Sequence, residues 1–373
     1  MRLVGAASSR PQILWSESEG EADVTPRFDQ IDDEEETRGV WLECFVLRSA
    51  IGWPYNFFLP DYEEVFVRRE VVRAWNVIKR SINNWTPADI CTDIRQSYVV
   101  VGTAGIGKSL AVGSFLLHEP LHYDAVRVPV VAYFVEGSVC LFHKTGEMAG
   151  TAVKYKNTSE GLWAIKELER ANVGGYYIFD VTKDHRVVAG LPRRRWGGIV
   201  LTTPDARNYE GWKKQRNVFN IFVNGYDARE MKAFFAWQER DLLRGSQGSR
   251  EGRAELEERW QRMKDRICVV GPLPRYVFDE DHYSGRCAAI DWALSNTSDI
   301  CWEHCARLLF GKAEWGEDRI ADKLIKVLRV VRDASVVVRP NAGNGEDAES
   351  CMNFPVSVEV KKNIAEAGAN GEL

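Results

Sequence analysis

From Ser97 onward the chain alternates apolar runs with longer mixed stretches. The runs are YVVVG (98–102), VPVVAYFV (128–135), YYIFD (176–180), GGIVLTT (197–203) and VFNIFV (218–223). Short continuous apolar runs separated by helical or loop segments predict a parallel sheet covered on both faces. After Asp227 the chain turns helical and charged, with a break at GSQGSREG (245–252), and helices continue to about Val331. Ahead of the sheet, VWLECFVL (40–47) reads as a strand. Within EEVFVRREVVRAWNVIK (63–79), the spacing of Val65, Val72, Trp75 and Ile78 predicts a helix. Residues 16–37 are acidic and poor in apolar side chains, a composition that cannot offset the entropy of ordering. The segment from Pro340 is rich in Gly, Asn and acids and is expected to be mobile. The resulting division is an acidic disordered arm (1–38), an N-terminal extension (39–96), a core (97–244), a helical lid (245–335) and a mobile tail (336–373). No internal repeat is visible.

Composition changes this picture little. The 373 residues are 45% hydrophobic and 28% charged with net charge -5, ordinary for a globular protein, and 13 Trp imply a large core. No apolar run approaches the roughly 18–20 residues that span a bilayer. The N-terminus, MRLVGAASSRPQILW, is interrupted before any signal-peptide core develops. Eight scattered Cys fit reduced thiols better than a disulfide framework. The expectation is a soluble intracellular protein without a membrane segment, nuclear or cytoplasmic.

The chemistry concentrates in Gly102-Thr103-Ala104-Gly105-Ile106-Gly107-Lys108-Ser109, which follows a β-branched strand and precedes a helix-forming stretch. Gly102, Gly105 and Gly107 permit a tight turn whose backbone N–H groups, Thr103 among them, face phosphates, and the following helix terminus favours anions. Lys108 is placed to reach the β- and γ-phosphates, and the Ser109 hydroxyl to ligate Mg2+. The metal also needs a carboxylate from another strand, and Asp180 ends YYIFD. The strand VPVVAYFV, between the two in the chain, is read as an extra strand inserted between the loop strand and this acidic strand. By fold-level analogy, that marks the additional-strand branch of three-layer α/β P-loop NTPases with a C-terminal helical lid.

Hydrolysis in that branch calls for an acid beside the metal Asp to activate water. Here Val181-Thr182-Lys183-Asp184 follows, and Asp184 is the nearest acid, on a loop. Nucleotide binding is therefore better supported than turnover. Thr202 or Thr203, at the end of the next strand, is a candidate γ-phosphate sensor, against the bland reading of a strand threonine. Arg275, opening a helix after Pro272 and Pro274, is a candidate lid arginine, against the reading of a solvated surface charge. Loop residues do not separate ATP from GTP.

Two further clusters are weighed. Cys301, His304 and Cys305, with Cys287, have zinc-binding residue types, but Cys301 and Cys305 read as one buried helical face rather than a turn-located pair. Arg193-Arg194-Arg195 and Lys213-Lys214-Gln215-Arg216, near Trp196 and Trp212, are candidate nucleic-acid contacts with stacking surfaces, against plain solvated charge in an acidic chain. An arginine finger offered to a neighbouring subunit is a further reading of the first cluster.

Several linked motifs together resemble the retrotransposon hot spot proteins of trypanosomes: GWPYN (52–56), GTAGIGKS, SFLLHEPLHYD (114–124), YYIFD, GLP with WGGIVLTTP (190–204), NYEGWKKQ (208–215) and VGPLPRYVFD (270–279). The resemblance covers Ile51 to Asp279 and weakens beyond, near Pro355-Val356-Ser357-Val358. Ala104 stands where family loops usually carry Pro, which costs rigidity but no phosphate contact. Members are commonly longer on both sides, so this chain is expected to be a shortened copy or a fragment. The resemblance implies a multigene, subtelomeric family with many pseudogenes, nuclear or cytoplasmic, with some members tied to chromatin, transcription and RNA export. The function expected is a Mg-ATP-dependent (or GTP-dependent) switch or ATPase in nuclear complexes with protein, RNA or chromatin, with oligomerisation left open. The alternative is a non-catalytic interaction protein or a degenerate copy that keeps the fold without turnover.

Overall fold

The computed structural model describes residues 45–50, 52–56, 62–84, 94–182, 184–241, 250–295, 299–316, 320–330 and 349–369. The acidic arm over 1–38, the Gly/Ser-rich part of the break up to residue 249 and the stretch 331–348 lie outside these residues.

Two strands open the described chain, β1 (Phe45–Arg48) and β2 (Glu64–Val67), antiparallel with Phe45 opposite Val67. The expected helix over Glu63–Lys79 therefore starts later, as α1 (Arg69–Asn84). Val65, Phe66 and Val67 are buried in succession, which suits an extended segment and not one helical face. Helical spacing begins only at Val71, followed by Ala74, Trp75, Ile78 and Ile82, all buried.

The central sheet contains β3 (Ser97–Gly102), β4 (Val130–Val135), β5 (Ser138–His143), β6 (Thr151–Tyr155), β7 (Gly175–Asp180), β8 (Trp196–Thr202) and β9 (Val218–Val223), in the order β6-β5-β4-β7-β8-β3-β9. The five strands read from the apolar runs are mutually parallel. The sheet as a whole is mixed, because β5 and β6 add antiparallel ribbons at the β4 edge. The two residues Glu136-Gly137 joining β4 to β5 suffice for a hairpin and are far too few for a parallel crossover. The strand inserted between β3 and β7 is β8, from later in the chain, and not the expected VPVVAYFV run, which as β4 lies outside β7.

Helices cover both faces. On one, α1 packs with α2 (Lys108–Ala111), a π-helical turn Val112–Leu116 and α3 (Leu117–His122), burying Trp75, Val100, Leu116, Ile178 and Leu201. On the other, α4 (Thr158–Arg170) and α5 (Glu210–Lys213) cover Val99, Val101, Tyr177 and Val200 with Ile165 and Trp212. The π turn has a local cause. The Leu110 carbonyl accepts from the Ser114 hydroxyl at 2.7 Å and from the Asn56 amide at 3.1 Å, so it is engaged by side chains there. Gly113 lets Asn56 lie against this turn, since a Cβ there would fall 2.6 Å from the Asn56 Cα.

Beyond α6 (Ala228–Gln238) the lid comprises α7 (Arg250–Val270), α8 (Pro274–Val277), α9 (Glu280–Ser295), α10 (Asp299–Leu309) and α11 (Ala321–Leu324). It joins the first apolar cluster through Leu273, Ile290 and Cys305. It does not run on as helix: Ile325–Val330 forms β10, paired antiparallel with β11 (Ser350–Pro355), and α12 (Val358–Ala369) packs on α7. Residues 350–369, expected in a mobile tail, are thus a strand and a helix. Val356 and Val360 are buried, and the Val356 N–H donates to the Leu324 carbonyl at 2.8 Å. No described helix is long and apolar enough to cross a membrane.

Candidate nucleotide-binding site

The Gly102–Ser109 loop connects the end of β3 to α2, so its turn opens at the carboxyl edge of the sheet, where ligands of open α/β sheets bind. Gly105 and Gly107 hold φ of 89° and 85°, a left-handed conformation that a side chain resists. Gly107 is the N-cap of α2 and no side chain caps it, which leaves the helix terminus facing the loop for an anion. Around Gly107, a Cβ would meet nothing within 4 Å, so the loop is open on that side.

Lys108 donates to the Gly102 and Thr103 carbonyls at 2.6 and 2.7 Å, folded back over the loop. Burial pushes its pKa down to about 7; Asp180 opposes that shift, and Arg275 and Arg68 add to it. The Ser109 hydroxyl donates to Asp180 Oδ1 at 3.2 Å, bridging the loop helix and the end of β7. Burial pushes Asp180 up to about 6, Glu136 adds to the rise, and Ser109, Lys108 and Arg275 act against it. The donor set fits magnesium: a hydroxyl and a carboxylate within hydrogen-bond reach of one another are hard oxygen ligands, to which Mg2+ adds water and phosphate oxygens. An ion held there by Ser109 and Asp180 would neutralise charge on the phosphates.

Arg275 sits on α8, exposed, and its charge acts on both Lys108 and Asp180. The neighbouring Tyr276 ring lies where a Cβ on Gly105 would come within 2.9 Å, so the lid rests directly on the loop. Two expected site residues are engaged differently. The Thr103 hydroxyl accepts from the Val327 N–H at 3.0 Å, tying the loop to β10 and leaving only the Thr103 backbone for phosphate. Thr202 is buried, and its hydroxyl accepts from Asn208 at 3.4 Å. Strand alternation puts it on the face of Val200, opposite the face of Leu201 that α2 covers. Thr203, just past the end of β8, is half-buried and accepts from the same Asn208 amide at 3.4 Å.

Arg68 supports the loop from beneath and was not legible in the sequence. Its guanidinium donates to the Ile106 carbonyl at 3.3 Å, the Asn224 carbonyl at 3.0 Å and Glu230 Oε2 at 2.9 Å, and lies 3.9 Å from the Tyr226 ring centre. The only local sign is an Arg directly after the apolar run VFV. A second ionic cluster links α1 to the C-terminal hairpin: Arg73 pairs with Glu70 and Glu349, and Arg329 with Glu70. Burial alone would raise Glu70, but Arg73 and Arg329 outweigh it and hold the carboxyl below its usual range.

The basic clusters lie at the other end of the strands, just before β8 and β9. Their tryptophans offer no stacking surface. Trp196 is buried and donates to the Val173 carbonyl at 3.0 Å, and buried Trp212 donates to the Tyr177 hydroxyl at 2.8 Å. Cys305 is core, and the side chain of Cys301 lies outside the described residues.

A phosphate loop between β3 and α2, a strand-ending acid across β8 and helices on both faces define an α/β P-loop NTPase fold and a nucleotide-binding protein. The family model described as retrotransposon hot spot protein, P-loop domain, matches residues 99–367, and that of the retrotransposon hot spot protein N-terminal region matches residues 4–96. The chain belongs to the retrotransposon hot spot protein family. No curated protein matches it. Among solved structures it is similar to the ORC2 protein of Aeropyrum pernix, determined as ADPNP-ADP complexes, at 12% identity over 69% of this chain and 68% of that one. With a TM-score of 0.26, that likeness is too slight to carry a conclusion.

Proposed function

We propose that the protein binds Mg-ATP or Mg-GTP at Gly102–Ser109 and Asp180 and acts as a nucleotide-dependent switch or ATPase in nuclear complexes with protein, RNA or chromatin. The observation that carries the binding half is the convergence of Lys108, the Ser109–Asp180 pair and Arg275 on one loop, drawn from three separate segments. In this reading the loop N–H groups and Lys108 hold the β- and γ-phosphates, Ser109 and Asp180 hold the metal, and Arg275 answers the γ-phosphate from the lid. The lid contact of Tyr276 and the β10 contact of Thr103 give loop occupancy a route to the C-terminal elements, which is what a switch requires. The nuclear setting draws on family membership alone. Retention of the fold without turnover is the alternative, favoured by Val181 and Thr182 following Asp180 where an acid is expected.

Magnesium dependence tests the site. In Asp180→Asn, nucleotide affinity should become nearly insensitive to Mg2+ while the loop still holds phosphate through Lys108. An Asp180→Asn protein whose affinity rises with Mg2+ as the wild type's does would remove the metal role of Asp180.

A further inference from the structure

No acid follows Asp180 directly in the chain, but one stands beside it in the sheet. β4 and β7 run parallel with Phe134 opposite Phe179. Glu136 is therefore one residue beyond the level of Asp180 on the adjoining strand, with the two backbones roughly 5 Å apart. Its charge acts on both Asp180 and the buried Tyr133. Glu136 and Gly137 form the two-residue turn between β4 and β5, both left-handed, at φ of 45° and 73°. Such turns favour Asn, Asp or Gly at the first position. A Glu held there is a backbone outlier at the edge of a ligand site, where strain accompanies function.

The loop that leaves Asp180 returns to this Glu. Thr182 and His185 exchange backbone hydrogen bonds at 3.2 and 3.3 Å, which folds the loop over the hairpin. His185 Nδ1 lies 3.1 Å from the Thr182 hydroxyl and 3.8 Å from Glu136 Oε2. Its Nε2 would lie 2.7 Å from a Cβ on Gly137, so the turn accepts no side chain there. Both Glu136 and His185 remain partly open to solvent, at 37% and 38% side-chain exposure, where water has access. Asp184, the nearest acid in sequence, is exposed.

We infer that Glu136 is the acid that orients and deprotonates the attacking water, with His185 as its positioning residue. This inference rests on the nucleotide-binding reading above. In the step it serves, the water oxygen bonds the γ-phosphorus while the bond from that phosphorus to the β–γ bridging oxygen breaks. The electron pair of the broken bond leaves on the nucleoside diphosphate, and the water proton passes to the Glu136 carboxylate. The products are the diphosphate and inorganic phosphate.

The test compares wild type, Glu136→Gln, Glu136→Asn and His185→Ala in three readouts: Mg-ATP affinity, phosphate release, and the state of the bound nucleotide by chromatography. Asn is a residue the turn prefers, so that variant separates loss of chemistry from loss of fold. Both Glu136 variants should bind Mg-ATP as wild type does and retain it as triphosphate, with phosphate release down by roughly 100-fold or more. Trapping of ADP with aluminium fluoride, which mimics the transition state, should be lost with it. His185→Ala should slow release without changing affinity, and His185→Gln should restore part of the rate. Phosphate release at the wild-type rate in the Glu136 variants would overturn the assignment and leave the nucleotide site standing. Wild-type protein that binds Mg-ATP and never releases phosphate would overturn it as well. Wild-type protein that binds no nucleotide would overturn the binding reading itself, and this inference with it.

Discussion

Arg68 is the most consequential single side chain beneath the loop, and its removal has a calculable outcome. The guanidinium is 4% exposed and faces Glu230, which is 12% exposed and also accepts the Arg69 N–H at 3.1 Å. Arg68→Met keeps most of the apolar volume but leaves Glu230 as a buried carboxylate without its counter-charge, and leaves the Ile106 and Asn224 carbonyls without their donor. Breaking a buried pair from one side costs about 3–5 kcal/mol. That is a large share of the ~5–15 kcal/mol that holds a domain of ordinary stability. Neutralising the partner as well, in Arg68→Met/Glu230→Gln, removes the stranded charge, so the two changes should be non-additive by about 1–3 kcal/mol. Arg68→Lys should fall between, because a single ammonium cannot serve the two carbonyls and the carboxylate that the planar fork reaches. Urea unfolding of five proteins (wild type, Arg68→Met, Arg68→Lys, Glu230→Gln and Arg68→Met/Glu230→Gln) with nucleotide absent measures this directly. Since Ile106 lies inside the loop, folded Arg68→Met should also bind Mg-ATP more weakly. A loss below about 1 kcal/mol, or strict additivity in the cycle, would refute the view that the N-terminal extension braces the loop through this pair.

Two further predictions concern the same region. With its pKa near 7 in the free protein, Lys108 is largely neutral at pH 8 and charged at pH 6. Phosphate favours the charged form, so Mg-ATP binding at pH 8 should take up a proton, and uptake should fade toward pH 6. Asp180, near 6, must lose its proton to hold metal, so below pH 6 binding should instead release one. Calorimetry in buffers of different ionisation enthalpy reads both, and binding heats independent of buffer at pH 8 would contradict the assignment. Gly113→Ala should destabilise the protein by roughly 1–3 kcal/mol, because its Cβ would press on the Asn56 backbone and the extension cannot yield without leaving the π turn. A midpoint in urea equal to wild type would show that the GWPYN segment does not dock there.

The parts of the fold that could be read from the chain are those with local signals. The five parallel strands are continuous apolar runs because both their faces are covered, and the phosphate loop is a contiguous motif whose glycines the backbone requires. Where signals overlap, they mislead. SVCLFH follows the β4 run after only Glu136-Gly137, so a sixth strand hides in its shadow, and TAVKY at the outer edge is half exposed and carries little apolar weight. Val65 fits the helical spacing that includes Val72, Trp75 and Ile78, which masks the strand before α1. Interactions across long separations leave no pattern at all: Thr103 is bound by Val327, 224 residues away, and Arg68 meets Glu230, 162 residues away. The face that Thr202 takes was not legible either, since position along a strand does not say which way a side chain points; one residue decides it. Glu136 was hidden because an acid on the neighbouring strand is adjacent in the sheet and remote in the chain.

The central claim is that Gly102–Ser109 holds a nucleotide through Lys108. Titration calorimetry of Mg-ATP into wild type and Lys108→Ala is its most direct test. Loss of a charge-assisted contact worth about 1.5–3 kcal/mol should weaken affinity by roughly 10- to 150-fold. Saturable one-to-one binding by wild type with that loss in the variant is the predicted result. Wild type that shows no binding heat, or a Lys108→Ala protein of equal affinity, would contradict it.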